Sequence, residues 1–535
     1  MSRFNTNPTV PRPQPTTRTA QGGEGFDRGP LDELFTLAIA NFVGGGTFFE
    51  AGASRDARMV RLVHEATALN PEWVTNFARW LRTGANMRSA SIVVAAEYVA
   101  AGGPNGRQVI ASVLQRPDEP AEMLGYWLAN LSHGQVKPGE NPRRVTLPKP
   151  FKRGISDACQ RLYTERNVIK YDGTNKAIRF ADVIRYARCI PRDDRQAVLY
   201  RWLDLTRRDK LDQARIGEAV EGLPTITGDR RLMALPEDQR RAALNEAIAA
   251  GWSWERLASW LPGGMDAPAW EAVIPNMGVM ALLRNLRNFD DKGVSAAAAV
   301  EVKTKLTDPD EVRRSRVFPL RYLSAWKATS SVRWAETLEA GLAASLTNLP
   351  ALSGRTLILI DVSGSMQDLV ANRRTDGGRA GERIEPLRRW EAAAVFGLAL
   401  AARADHADVV LFNWGPTARI EVGPHDSILR QAQEIRSYVS GGTNTLGSLA
   451  DTYHGHDRVV ILTDEQTSGG GQWDRVEHIK APVLTWNLAG EAKGHAPSHW
   501  QNWHTYGGLT DSAFTMLAVM EQRRLGWPWD QPTDG

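Results

Sequence analysis

RTLILIDVSGSM, Arg355 to Met366, joins an apolar run to an acid and a small polar turn. Leu357 to Ile360 predicts a buried strand, and Asp361, Val362, Ser363, Gly364 and Ser365 predict the loop that ends it. In an open α/β sheet, ligands bind in the crevice beyond the carboxyl ends of the strands, so this loop presents Asp361, Ser363 and Ser365 there together. A carboxylate and two hydroxyls are hard oxygen donors, suited to Mg²⁺ or Mn²⁺ and poorly suited to zinc.

Two later segments extend the pattern. Ser440 to Thr445, SGGTNT, is a Gly-rich loop carrying Thr443, and Val459 to Asp464, VVILTD, is a second apolar strand ending in an acid. On these three segments, Arg355 to Arg524 resembles a von Willebrand factor A domain, whose metal-ion-dependent adhesion site reads strand, Asp-x-Ser-x-Ser, helix. The resemblance implies that Asp361, Ser363, Ser365, Thr443 and Asp464 hold Mg²⁺, or another divalent cation such as Mn²⁺. It also implies an open coordination position for an acidic residue of a partner, so that the site recognises rather than reacts.

The rest of this half alternates strands and helices. Val409–Trp414, Arg419–Val422 and Val483–Leu488 read as strands; Trp390–Ala404, Ile428–Val439 and Ser512–Arg524 read as helices. Such alternation predicts a parallel sheet covered on both faces. Gln367 to Pro386 is a polar, arginine-bearing insertion expected to form a loop near the site.

The chain of 535 residues is long enough for two or more domains. Its two cysteines, Cys159 and Cys189, have neither the number nor the spacing of a disulfide framework or a zinc site, and read as small core residues in a reducing cytoplasm. No apolar run reaches the roughly 20 residues needed to span a bilayer. The first residues, rich in Pro, Thr and Gly, contain no signal-peptide core and read as a disordered arm over 1–29. The expected division is therefore this arm, a helical module over 30–350, and the A-type domain over 351–535.

The helical module shows apolar residues at three and four spacing, with breaks at Gly and Pro. Helices are expected at Leu31–Val43, Arg55–Leu69, Pro71–Thr83, Ser89–Ala101, Gly106–Leu114 and Glu119–Ser132. Asn70 before Pro71 suits an N-cap followed by proline at the first helical position. After a polar loop, His133 to Pro148, further helices are expected from Pro150, at Phe180–Arg188, Arg192–Thr206, Glu237–Ala250, Ala267–Ile274, Ser295–Leu306, within Arg313–Thr329 and at Val332–Leu346. Many helices on short turns suggest an α-solenoid of helix pairs.

Charge is unevenly placed. The formal net charge is +4, yet Pro148 to Ile216 holds 17 Lys and Arg against 9 Asp and Glu, leaving the remainder net negative. Concentrated positive charge is what an anionic partner feels. Lys149, Lys152 and Arg153 stand at the start of one helix, the wrong end for cations against the helix dipole unless an anion lies between them.

GGTFFE at Gly45–Glu50, MALLRNLRN at Met280–Asn288 and RVFPLRYL at Arg316–Leu323 look like landmarks of the TROVE module. A TROVE module followed by an A-type domain is similar to the Ro autoantigen family and its bacterial orthologues. The resemblance implies an all-α, HEAT-like ring followed by a Rossmann-like α/β domain. It further implies small structured Y-type RNA on a basic outer surface, single-stranded 3′ ends of misfolded RNA in a central hole, and a monomer acting in RNA quality control. An exoribonuclease such as polynucleotide phosphorylase is a family-level partner expectation. The candidate phosphate contacts are Lys149, Lys152, Arg153, Lys170, Lys176, Arg179, Arg185 and Arg188, with strong salt dependence and little sequence preference expected of them. Family members carry a histidine in the helix equated with Phe180–Arg188. This chain has none there, which puts base-specific contacts in doubt.

Other readings make different demands. A metal-dependent protein-interaction co-chaperone acting through the A-type domain is the alternative. A phosphohydrolase of the haloacid-dehalogenase kind needs an acid two residues after Asp361, where Ser363 stands, so no enzyme is expected. His454, His456, His495, His499 and His504 read as solvent or packing residues, Pro497 separating the pair four apart. Asp451 and Asp457 read as surface residues.

Overall fold

The computed structural model describes residues 14–40, 52–131, 147–173, 176–207, 220, 222–315, 317, 319–329, 331–346, 351–369, 387–423, 426–469, 472–497, 499–500, 502–507 and 527–530. GGTFFE, most of the loop at 133–148, insertion residues 370–386 and the expected helix Ser512–Arg524 lie outside the described residues. Two compact units divide the chain. One comprises Met1–Leu62, Phe318–Ala328 and Ser345–Leu525, and the other Val63–Val317, Thr329–Ala344 and Gly526–Gly535.

The strands of the first unit are β1 (Thr17–Arg18), β2 (Glu24–Asp27), β3 (Leu352–Asp361), β4 (Ala404–Phe412), β5 (Pro416–Ile420), β6 (Arg458–Thr463), β7 (Val483–Asn487), β8 (Lys493–Gly494), β9 (His499–Trp500) and β10 (Trp503–Gly507). Seven form one sheet in the order β5-β4-β3-β6-β7-β10-β9. The inner five are parallel, whereas β5 pairs antiparallel with β4 and β9 antiparallel with β10, so the expected all-parallel sheet is corrected at both edges. Ile358 of β3 pairs with Val409 on one side and Val460 on the other. A central strand flanked and covered in this way reads as a continuous apolar run, and Leu357 to Ile360 are all fully buried. Helix Arg389–Ala401 is buried along its whole length and packs on β3 and β4. Gly397 permits its close approach, since a Cβ there would stand 2.7 Å from Ile360 Cδ1.

The disordered arm is corrected for residues 17–27. β1 and β2 form an antiparallel hairpin, and β2 pairs with β8. Phe26 is buried in the sheet core, edge-on to Trp473 at 5.7 Å. Helix Pro30–Ala40, expected to open the helical module, instead packs on β10, with Phe35 against Tyr506. Its apolar residues Leu34, Phe35 and Leu37 satisfy a sheet face as well as they would a helix.

The second unit is a stack of helices, each packed mainly on near neighbours in sequence. Pro71–Thr83 packs on Arg88–Ala100, which packs on Gly106–Val113; the latter packs on Lys149–Leu162, and that helix on Phe180–Ala187. Asn70 is the N-cap expected, accepting a hydrogen bond from Trp73 N at 3.0 Å with Pro71 following it. Several boundaries differ from expectation. Glu119–Tyr126 passes into a π-helical turn at Trp127–Leu131. The expected helix Glu237–Ala250 is two short helices, Glu237–Arg240 and Leu244–Ala249. The stretch Arg313–Thr329 divides at Pro319, which lacks the N–H a continuing helix needs. Trp527 and Trp529, stacked at 5.5 Å, pack on Trp73.

Candidate functional site

β3 and β6 are neighbours, and the chain leaves β3 for β4 on one side and β6 on the other. Both strands end in the same crevice. Asp361 closes β3, Asp464 follows β6 by one residue, and Ser363 and Ser365 lie in the turn that continues β3 as a short 3₁₀ helix, Gly364–Gln367. The Thr443 loop is tied to this turn by Gly364 N donating to Gly441 O at 2.9 Å and Ser440 N to Val362 O at 2.8 Å. All five residues are buried.

Local bonds fix the turn. Ser363 N donates to Asp361 Oδ1 at 2.8 Å, Thr463 Oγ1 donates to Asp361 Oδ2, and the Ser363 and Ser365 hydroxyls are 3.3 Å apart. Burial, and then the neighbouring Asp464 carboxylate, push Asp361 up to about 7. Asp464 is likewise raised by burial, against the lowering effects of Ser365 and the Arg389 guanidinium. Asp464 Oδ2 and Thr443 Oγ1 are buried without a hydrogen-bond partner among the described residues. Two crowded carboxylates and three hydroxyls, with one oxygen of each kind left unsatisfied, are a donor set that suits a hard divalent cation, which would relieve both the repulsion and the missing bonds.

Three neighbours of the site were not apparent from sequence. Thr463 orients Asp361, and its position before Asp464 in VVILTD was the available signal. Arg389 is 3% exposed and reaches Asp368 at 3.3 Å. Glu465 is buried and paired with Arg28. Beside it His495 is fully enclosed, its Nδ1 3.4 Å from Glu465 Oε1. Burial, and next the charge of Arg28, push the His495 imidazole down to about 3. Below about pH 6.5 the unfolded chain therefore takes up a proton that the native chain refuses, and His495 withdraws stability as pH falls from there towards 3, at up to about 1.4 kcal/mol per unit. A ¹³C-histidine NMR titration is expected to leave one imidazole neutral at pH 4.5; half-titration of every histidine above pH 5 would contradict this. His456 is buried and bonded to Asp408 at 2.7 Å, while His454 is exposed. Asp451 and Asp457 are exposed, as expected.

The eight basic candidates fall on adjacent elements of the helical unit. Lys149, Lys152 and Arg153 lie within the first five residues of Lys149–Leu162, which has no side-chain cap at Pro148. Lys149, Arg153, Lys170, Lys176 and Arg188 are exposed, and Lys152, Arg179 and Arg185 half-buried. Arg179 pairs with Asp172 at 2.9 Å and Arg185 with Asp204 at 2.5 Å, so the fold already neutralises these two. Lys170 and Arg116 stand over the Tyr171 ring at 5.3 and 5.5 Å. Tyr171, Asp172, Lys176 and Phe180 help line a cavity of about 340 Å³, with Asp118 and Glu122 on the same lining. Burial raises Glu122, partly offset by Arg88. Cys159 is buried and Cys189 half-buried, both as free thiols.

A helical-repeat unit joined to an A-type α/β unit with an Asp-x-Ser-x-Ser site is the class of protein these features define. Residues 198–354 match the family model of the TROVE domain. It is 28% identical over 225 residues, 38% of this chain, to a protein of Deinococcus radiodurans named RNA-binding protein RO60, and 29% identical over 120 residues, 19% of this chain, to the protein of that name in Caenorhabditis elegans. These matches span 40% and 18% of the two relatives' lengths. Telomerase protein component 1 of Rattus norvegicus is 22% identical over 333 residues, covering 55% of this chain and 12% of that protein. The crystal structure of the Deinococcus radiodurans Ro protein shares the fold, with a TM-score of 0.60 at 19% identity over 92% of this chain and 99% of that one. No helix among the described residues is long and apolar enough to cross a membrane.

Proposed function

We propose that this chain is an RNA-binding scaffold whose helical unit takes small structured, Y-type RNA and the single-stranded 3′ ends of misfolded RNA, and whose A-type unit binds a divalent cation and, through it, an acidic partner. The observation carrying the RNA reading is the set of cations without described ion-pair partners, Lys149, Arg153, Lys176 and Arg188 exposed and Lys152 half-buried, on adjacent elements of a chain whose later helices match the TROVE domain. Point cations with few base-reading groups favour phosphate contact and loose specificity. Single-stranded ends enter an opening that a duplex cannot, and a tailed hairpin offers both kinds of contact. A cytoplasmic monomer working beside an exoribonuclease such as polynucleotide phosphorylase fits this reading.

The test is binding of a hairpin with a 3′ tail, the tail alone and a blunt duplex, each titrated over salt. The tailed hairpin is expected to bind best, with affinity falling steeply as salt rises. Equal, weak binding of all three would overturn the proposal.

For the A-type unit, Asp361, Ser363, Ser365, Thr443 and Asp464 would hold Mg²⁺ or Mn²⁺, and the ion would supply a Lewis-acidic position for a partner carboxylate. The chain's own residues orient the donors and exclude water from the crevice. Mg²⁺ at ten times its Kd is expected to stabilise the native state by roughly 1.4 kcal/mol. Asp361→Asn should abolish that gain, yet match or exceed wild type in chelator, because it removes one of two crowded carboxylates. Chemical denaturation with and without Mg²⁺ checks both; an Mg²⁺ effect that survives Asp361→Asn would place the ion elsewhere.

A further inference from the structure

The loop that follows β6 carries Asp464 and also supports Thr443. Thr467 Oγ1 donates to Thr443 O at 3.1 Å, Ser468 N and Oγ donate to the same carbonyl at 2.8 and 3.0 Å, and Gln466 N donates to Asp464 Oδ1 at 3.2 Å. Two of the five candidate ligands therefore depend on residues 464–468 for their position. Among the described residues, this loop is held from outside on two sides: Asn487 Nδ2 donates to Glu465 Oε2 at 2.6 Å and Gln466 Nε2 to Lys493 O at 3.2 Å, and the remaining contacts come from the beginning of the chain.

The β1–β2 hairpin reaches the loop at three points. Thr19 Oγ1 donates to Thr467 O, Ala20 N donates to Gln466 Oε1 at 2.9 Å, and Arg28 makes a buried ion pair with Glu465 while also donating to Glu491 O. Gly23 lies flat on the loop. A Cβ there would stand 2.5 Å from Thr467 O and 2.6 Å from Gly469 O, both backbone atoms that no side-chain rotation moves away. The hairpin is itself anchored, since β2 pairs with β8 and Phe26 is buried beside Trp473. A buried, charge-assisted bond such as Arg28 to Glu465 fixes geometry more firmly than exposed contacts do.

We infer that residues 17–28 are a positioning strap for the cation site, setting Thr443 and Asp464 through the loop at 464–469. The inference rests on the proposed cation binding, but its structural half does not. The described contacts of Thr19, Gly23 and Arg28 are with Glu465, Thr467, Gly469 and Glu491 and not with the candidate ligands, so they act as groups that orient ligands.

The test uses the full chain, with Gly23→Val to displace the loop and Thr19→Val as the milder change should the first fold poorly. Mn²⁺ affinity is read by electron paramagnetic resonance, and backbone mobility by amide hydrogen exchange. Each variant is expected to weaken Mn²⁺ binding by about tenfold. It should also speed exchange at 440–445 and 463–469, with exchange at 355–360 in the central strand unchanged, because the opening is local. Unchanged exchange at both loops overturns the strap. Faster exchange with full Mn²⁺ affinity overturns its role at the site. If wild type binds no Mn²⁺, the cation reading and the strap's role at the site both fall, and the exchange result separately decides whether the strap holds the loop.

Discussion

Replacing Lys149, Lys152 and Arg153 together by Glu is expected to lower the affinity for a 3′-tailed RNA hairpin by about a hundredfold at moderate salt, and to flatten the plot of log affinity against log salt by about two. The three cations lie within the first five residues of Lys149–Leu162, where Pro148 supplies no side-chain cap. Lys149 and Arg153 are exposed and Lys152 half-buried, and no ion pair with a described residue quenches any of them. Each phosphate neutralised on a single strand contributes about 0.7 to the salt slope, so losing three contacts removes about two. Reversing the charge adds repulsion that simple deletion would not. Folding should be little changed, since the helix is held by Phe151, Ile155, Ala158 and Cys159 on its buried face and three like charges leave its N-terminal end. Fluorescence anisotropy over a salt series, with circular dichroism as control, measures it. An unchanged slope would move the RNA surface away from this helix. Arg179→Ala or Arg185→Ala should instead act through stability, because each breaks an ion pair within the fold.

Trp486→Ala is expected to cost about 3–5 kcal/mol of stability in the A-type unit. Trp486 is fully buried on β7, with Phe396 of the long central helix at 5.5 Å and Tyr506 of β10 at 5.7 Å. Truncation opens a cavity between sheet and helix, and both are held too rigidly by neighbours to close it. The indole Nε1 has no hydrogen-bond partner among the described residues. Trp486→Phe therefore removes bulk without breaking a bond, and should cost under about 1.5 kcal/mol. Urea unfolding followed in the A-type unit separates the two. A phenylalanine variant as damaged as the alanine one would show that the indole N–H is satisfied in a way the geometry does not reveal.

Much of the arrangement was legible before the structure. The run Leu357 to Ile360 ending in Asp361 specified a central strand, because only a strand buried on both faces is so uniformly apolar. Asp361, Ser363, Ser365, Thr443 and Asp464 were identified from local motifs, and the structure gathers all five in one crevice. Local chemistry also announced Asn70 as a helix cap, since capping involves neighbours three residues apart.

Long-range partners were not legible. Phe26, Leu34 and Phe35 are apolar whatever they touch, so nothing local distinguished a strand and helix of the α/β unit from a disordered arm and the first helix of a solenoid. Nor did Arg28 or Arg389 carry a mark of burial; each is charged in sequence and becomes a buried, paired group only where a distant acid awaits it. The same holds for charge at the RNA-facing candidates. Sequence counted Arg179 and Arg185 with the other cations, and only the tertiary structure set Asp172 and Asp204 against them. Sequence by itself thus determined which residue types were available and which stretches form elements, because periodicity and capping act over a few residues. The tertiary structure alone decided which charges are spent within the fold and which segment supports the Asp464 loop, because pairing joins residues of different elements, 7 and 19 positions apart for Arg179 and Arg185 and 437 apart for Arg28.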